Sequence, residues 1–169
     1  MKRISVKIYN ESSNDNPRYA TENDTGCDIK ASMPHTLENF KSGLGSKWTF
    51  DTDTSTAIIH PGGIALIGTG IFCDIPAGWG ITVRPRSGLA LKKGITVGNS
   101  PGTIDSDYRG ECCTILINHS DEDFVVSEGD RIAQFVLEEV SQINWLAVQS
   151  KDALSDTERG NGGFGHTGS

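Results

Sequence analysis

Nowhere in this 169-residue chain do about 18 apolar residues run together, the minimum for a helix across a bilayer. Residues 1–8, MKRISVKI, alternate apolar and polar side chains instead of forming the continuous apolar block of a secretory leader. A soluble, cytoplasmic protein is expected. Cations are scarce as well. The 15 Lys and Arg stand against 22 Asp and Glu, a net charge of -7, too few positive groups for a general nucleic-acid surface, which must neutralise many phosphates at once. Any phosphate site must therefore be local, with a divalent cation carrying part of the charge of an acidic ligand. The four cysteines, Cys27, Cys73, Cys112 and Cys113, make no CxxC pair and no metal-ligand spacing with the four histidines. They read as reduced and mostly buried. Long helical periodicity is missing too. The best helix candidate is short, residues 87–93, opened by Ser87 as a possible N-cap and closed by Gly94.

What is present is a succession of strand-length runs at residues 4–8, 64–67, 71–75, 81–83, 95–97, 114–117, 124–126 and 132–136. Gly and Pro punctuate them at Pro61-Gly62-Gly63, Gly68, Gly70, Pro76, Gly78, Gly98, Pro101-Gly102 and Gly129. Many short strands with such turns indicate an all-β sandwich or barrel. The length suits one domain able to bury a core without disulfides or a structural metal. Residues 1–150 are expected to form that domain. Two stretches break the rhythm: residues 37–57 turn polar around Trp48 and Phe50, and residues 150–158 are charged and weakly apolar, as in a flexible arm.

The segment 159–169 holds five glycines, Arg159 and Phe164, a composition that builds no core. Glycine amides can curl around an anion, arginine offers a forked cation, and a lone aromatic ring can cover a nucleobase. The segment reads as a lid for a nucleotide, or else as a frayed terminus. It lacks the lysine of a GxxxxGKS/T phosphate loop. Residues 103–111, TIDSDYRGE, crowd acids, bases and a tyrosine after the turn-rich run VGNSPG. Asp105 there could take a proton from an attacking water; alternatively the segment is a polar turn with Arg109 paired to Glu111. Asp28 could be a strand-end charge, Ser87 a cap or a phosphate ligand, and Gln134 a satisfied polar residue in a core strand.

In order along the chain, residues 25–31, 84–90, 98–111, 129–136 and 159–168 resemble the five motifs of the homotrimeric dUTPase family. The resemblance implies a jelly-roll-like β-barrel of the β-clip type with one short helix. It also implies assembly as a homotrimer, with residues 151–169 serving as arm and lid and the sites lying between subunits. The implied reaction is hydrolysis of dUTP to dUMP and pyrophosphate, with Mg2+ chelated by the three phosphates. Asp105 would deprotonate the attacking water, and Asp28 would hold metal-bound waters. Arg86, Ser87 and Gly88 would meet the phosphate chain, Gln134 the α-phosphate region, and Arg159, Gly165 and Thr167 the γ-phosphate. Asn99 and the hairpin 97–102 would read uracil, Tyr108 would exclude a 2′-hydroxyl, and Phe164 would cover the base. His166 stands where many family members carry Ser, and Cys27 fills a variable slot.

The first and second motifs lie roughly twenty residues farther apart than in compact members of the family, the length of an extra hairpin or lobe. This insertion could be a surface excursion closing on Leu37, Phe40, Leu44, Trp48 and Phe50. It could instead be a partner site through Trp48 and Phe50, tryptophan being enriched at interface hot spots. In that respect it resembles the dUTPases of staphylococcal phages, whose relatives bind a repressor of mobile genetic islands; the expected setting is then a bacterial or phage-infected cell. Two competing readings are a dCTP deaminase of the same fold and a dUTP-sensing regulator.

Overall fold

The computed structural model describes residues 2–163. The chain runs as β1 (Lys7–Asn10), β2 (Cys27–Lys30), α1 (Met33–Lys41), β3 (Gly45–Asp51), β4 (Thr56–Ile67), β5 (Ile71–Asp74), β6 (Trp79–Arg84) and α2 (Ser87–Lys93). It continues as β7 (Ile95–Val97), β8 (Gly102–Ile104), β9 (Thr114–Asn118), β10 (Phe124–Val126) and β11 (Arg131–Glu139), with a 3-10 turn at Lys151–Ala153. Three antiparallel sheets result. One follows the order β10-β4-β9-β7 with β3 also on β4, the second β2-β11-β6-β8, and the third pairs β1 with β5. Alternating residues of the two larger sheets meet in one core. Ile29, Ile59, Ile67, Leu116, Val126 and Ala133 are almost wholly withdrawn from water, each stabilising the barrel by the apolar area it hides.

The insertion differs from the polar excursion expected. It forms helix α1 and the hairpin strand β3, so the described residues contain two short α-helices, not one. Local signals for α1 are weak: Ser32 at the N-cap position makes no side-chain capping bond. Glu128 from the β10–β11 turn supplies the cap instead, accepting the Met33 N–H at 2.5 Å. Phe40 meets Trp48 edge-on with ring centroids 5.0 Å apart, and Phe50 lies 6.3 Å from Phe40. Trp48 is only 8% exposed and belongs to the main core, whereas Leu44 is 48% exposed and leaves the expected cluster. The insertion thus extends the barrel core instead of closing on itself. Trp48, read from the sequence as a partner contact, is turned inward.

Val140 N–H still donates to the Gly78 carbonyl at 2.8 Å, and the ten residues that follow are exposed. Ile143 is 70% exposed, Trp145 81% and Leu146 83%. Among the described residues no helix is long and apolar enough to cross a membrane.

Candidate active site

Strand β11 sits between β2 and β6, and its register places Gln134 opposite both Asp28 and Arg84. Three of the sequence segments therefore meet at one strand position. A Cβ on Gly26 would lie 2.5 Å from Gln134 Oε1, so the glycine makes room for that side chain. Gln134 Nε2 donates to the Pro85 carbonyl at 3.1 Å, holding the entry to α2. Asp28 Oδ1 accepts from Arg86 Nε at 2.9 Å, and its Oδ2 accepts from Arg131 Nη1 at 3.2 Å. Arg86 Nη1 also donates to the Arg131 carbonyl at 3.0 Å.

Two guanidinium groups on one carboxylate leave this corner locally positive within an acidic protein. Adjoining clefts of ≈ 230 and ≈ 290 Å³ open beside it, lined by Arg18, Lys30, Gly26, Asp28 and Gln134 among others. Arg131 was missed by sequence reasoning. A register shift between Arg131 and Ala133 re-aims its side chain, and nothing in local composition announces a bulge.

Helix α2 begins at Ser87 with extended Arg86 at the N-cap position, and no side chain caps it. Ser87 is therefore the first helical residue and not the cap. Gly94 adopts the left-handed conformation, φ 65°, that closes the helix as expected. A Cβ on Gly88 would meet nothing within 4 Å, and Ser87 and Gly88 are both exposed.

The segment after β8 is organised separately. Tyr108 N–H donates to the Asp105 carbonyl at 3.1 Å, and the Tyr108 hydroxyl donates to the Glu111 carbonyl at 3.1 Å. Burial, with smaller contributions from neighbouring acidic groups, raises the Tyr108 pKa, so the phenol stays protonated and able to donate. A Cβ on Gly110 would fall 2.3 Å from the Tyr108 oxygen, so only glycine lets the ring lie across the turn. Arg109 does not pair with Glu111. Its Nη1 donates to the Ser106 and Tyr108 carbonyls at 2.8 and 2.9 Å, and its Nη2 to Asp74 at 2.8 Å. Asn99 folds against Gly102, where a Cβ would stand 3.0 Å from its amide nitrogen.

These two groups do not meet within one chain. β8 pairs with β6 so that Ile104 faces Ile81 and Gly102 faces Val83, which sends Asp105 toward the end of β6 remote from Arg84. At about 3.3 Å per residue the offset along the strands is roughly 13 Å. Arg159 lies in the exposed arm, its Nε donating to the Gly162 carbonyl at 2.8 Å. Phe164, Gly165, His166 and Thr167 lie outside the described residues. The cysteines are unpaired among the described residues, and burial raises the thiols of Cys27 and Cys113, the latter to about 12, which leaves them protonated and chemically quiet.

An antiparallel barrel that gathers a carboxylate, two guanidinium groups and a glutamine beside an exposed helix start belongs to the class of proteins suited to an anionic, phosphate-bearing ligand. Comparison with known proteins specifies which. The dUTPase family pattern matches residues 49–168. Over 168 residues the chain is 42% identical to the deoxyuridine 5'-triphosphate nucleotidohydrolase of Fusobacterium nucleatum subsp. nucleatum, covering 99% of each chain. It is 44% identical over 158 residues to that of Chlamydia caviae, covering 94% of each. The chain belongs to the dUTPase family, the dUTP diphosphatases. In fold it is similar to a variant of the Staphylococcus bacteriophage 80alpha dUTPase with dUpNHpp, with a TM-score of 0.74, 20% identity, and 98% and 99% of the two chains covered. It also resembles the dUTPase of phage phi11 of S. aureus, with a TM-score of 0.67, 18% identity, and 89% and 100% covered.

Proposed function

We propose that the chain cleaves dUTP to dUMP and pyrophosphate at sites shared between copies of a homotrimer, in the cytoplasm of a bacterial or phage-infected cell. Asp28, Arg86, Arg131 and Gln134 come from one copy, Asp105 and Tyr108 from another, and Arg159 with the segment 164–168 closes the site. The observation that carries this is the strand register: it collects the first, second and fourth motifs at Gln134 and separates them from Asp105, in the third, within the chain. Exposed apolar residues of the arm, Ile143, Trp145 and Leu146, supply a surface for association.

Asp105 is exposed, so a water can reach it. In the assembled site its carboxylate takes the proton of that water as it attacks the α-phosphorus, and pyrophosphate leaves in line. Arriving phosphates compete for Arg86 and Arg131 and release oxygens of Asp28. The donor set then suits Mg2+ bound mainly by the substrate, since one carboxylate through water is the contribution a metal that keeps its waters needs. Bound there, Mg2+ would neutralise charge on the leaving pyrophosphate. The Ser87 and Gly88 amides bind the phosphate chain, Asn99 and its hairpin the uracil edge, Tyr108 the deoxyribose, Phe164 the base, and Gly165 with Thr167 the γ-phosphate.

The test is pyrophosphate release from dUTP, dTTP, dCTP and UTP with Mg2+. The wild type should act well on dUTP alone, and Asp105→Asn should lose about 10²–10⁴ in kcat. Undiminished turnover would remove Asp105 from the mechanism. Equimolar Asp105→Asn and Arg86→Ala chains, unfolded and reassembled together, should regain activity that neither has alone; no recovery would refute the shared site. Ammonia release from dCTP would indicate a deaminase instead.

A second reading gives the insertion a protein partner. Phage 80alpha dUTPases, alike in fold, are described as controlling transfer of virulence genes by a proto-oncogenic G protein-like mechanism, and a repressor is the partner proposed here. With Trp48 buried and Phe50 half-buried, the surface offered is the outer side of the β3–β4 hairpin, including Lys47, Thr49 and Thr54. Replacing residues 52–55 with a two-glycine turn should abolish repressor binding while sparing dUTP hydrolysis. Comparing affinity with and without a non-hydrolysable dUTP analogue tests nucleotide sensing.

A further inference from the structure

The carboxylate of Glu111 has no part in the chemistry above, yet its side chain is more deeply buried than that of Asp28. Its Oε1 accepts the backbone N–H groups of Thr69 and Gly70 at 2.7 and 2.8 Å, and its Oε2 faces His35 Nδ1 at 3.6 Å. Both side chains are largely buried, 17% and 16% exposed. The main-chain carbonyl of the same residue accepts the Tyr108 hydroxyl at 3.1 Å and the Cys113 N–H at 2.9 Å. The next residue is fixed to the same turn, with Cys112 N–H donating to Ile71 O at 2.7 Å and Thr69 Oγ1 to Cys112 O at 2.9 Å.

The turn at residues 68–70 is in turn backed by the insertion. Gly68 N–H donates to Thr36 Oγ1 at 3.0 Å, and Ser32 N–H donates to the Gly68 carbonyl at 2.8 Å. A chain of contacts therefore runs from α1 through this turn and the Glu111 carboxylate to the carbonyl that holds the Tyr108 ring.

We infer that Glu111 is a positioning residue for the sugar-facing Tyr108, fixing the ring at the height that admits a deoxyribose and rejects a ribose, on a platform braced by the inserted helix. The inference rests on the reading of Tyr108 given above. A carboxylate gripped by two amides determines where its own backbone sits, and the phenol follows that backbone through one hydrogen bond. Small displacements of such a ring are felt in selectivity, because sugar discrimination is steric and a shift on the order of 1 Å opens space for an oxygen.

The experiment uses the full chain in its assembled form, labelled with 3-fluorotyrosine. The protein has three tyrosines, Tyr9, Tyr19 and Tyr108, so the Tyr108 resonance is assigned by its loss in Tyr108→Phe. In Glu111→Ala that resonance should shift or broaden while the other two stay, and the dUTP/UTP ratio of kcat/KM should fall by about tenfold or more. Glu111→Gln keeps an oxygen for both amides and should restore the resonance and hold the ratio within about threefold of wild type. If the alanine variant does not fold, Glu111→Asp, one methylene too short to reach the amides, is measured in its place with the same expectation.

A purely structural Glu111 would lower the melting temperature and leave the Tyr108 resonance and the selectivity unchanged; that result overturns the proposal. A wild type that does not distinguish dUTP from UTP would defeat the sugar-facing reading of Tyr108. The resonance, recorded without nucleotide, would still decide whether Glu111 positions the ring.

Discussion

Gly68→Ala tests whether the insertion is an integral layer of the barrel. Gly68 is buried, and a Cβ there would stand 2.5 Å from His35 Cβ, 2.7 Å from the His35 carbonyl carbon and 2.9 Å from Thr36 N. Two of those atoms are helix backbone, so α1 itself must move. Overpacking of this kind costs about 1–3 kcal/mol. Displacing the helix also weakens the Gly68 N–H to Thr36 Oγ1 and Ser32 N–H to Gly68 O bonds, each of which contributes about 1 kcal/mol. Taking about 3 kcal/mol in total and about 3 °C per kcal/mol for a domain of this size, the melting midpoint should drop by roughly 9 °C. The assay is thermal unfolding followed by far-ultraviolet circular dichroism, at one fixed protein concentration because association shifts the midpoint. Gly88→Ala is the control, its new methyl group meeting nothing within 4 Å. A midpoint within about 1 °C of wild type for Gly68→Ala would refute the docking of α1 on residues 68–70.

The same control carries a prediction of its own. Gly88→Ala should raise helix stability by up to about 1 kcal/mol yet increase KM for dUTP, because the methyl group would enter the space proposed for the phosphate chain; an unchanged KM would show that substrate does not approach this turn. Asp74 gives a pH signature. Its carboxyl is held below the usual range, first by the hydrogen bond from Lys7 and then by the charges of Lys7 and Arg109. A depressed folded-state pKa contributes stability that is present above the unfolded value, about 4, and is lost as pH falls through the folded one. The midpoint difference between wild type and Asp74→Asn should therefore be largest near neutrality and vanish in acid; a difference independent of pH would show that ionisation of Asp74 is irrelevant.

Much of the barrel was legible because its strands are half-buried and alternate. Residues 95–97, 114–117 and 132–136 read as strands and form β7, β9 and β11, and Gly94 closes α2 where a left-handed residue was needed. The failures share a physical origin in distant partners. Pro61-Gly62-Gly63 reads as a turn, yet it lies inside β4, because β3 pairs on both sides of it. Ser46 faces Ile64 and Trp48 faces Ile59, so residues 60–63 bulge opposite Lys47 alone. Helix α1 depends on a cap from Glu128 and a floor at Gly68, both remote in sequence. In the candidate site the residue types were legible as motifs, but Asp28 and Gln134 became neighbours only through the β2–β11 register, and Arg131 joined them only through its irregularity. Arg109 and Glu111, adjacent enough to suggest a pair, were each claimed by β5 and the turn before it.

On the proposed function, the arm and the division of the site between copies answer one physical problem together. Val140, Ile143, Trp145, Leu146 and Val148 are 50, 70, 81, 83 and 49% exposed in the single chain. Burying a large apolar side chain stabilises by about 1.5–3 kcal/mol, so a surface of this kind favours a second copy over water. An apolar groove beside β1, lined by Ile4, Val6, Ile8, Tyr19, Phe135 and Leu137, offers matching chemistry on each barrel. An arm that seats on a neighbour carries Arg159 with it, away from the chain that made it. Association would then do three things through one set of contacts: cover the apolar arm, bring Asp105 of one copy to the Asp28–Arg86–Arg131 corner of another, and deliver a guanidinium to the far end of the phosphate chain. A monomer would hold every required side chain and still lack a site, so activity should follow assembly more closely than it follows folding.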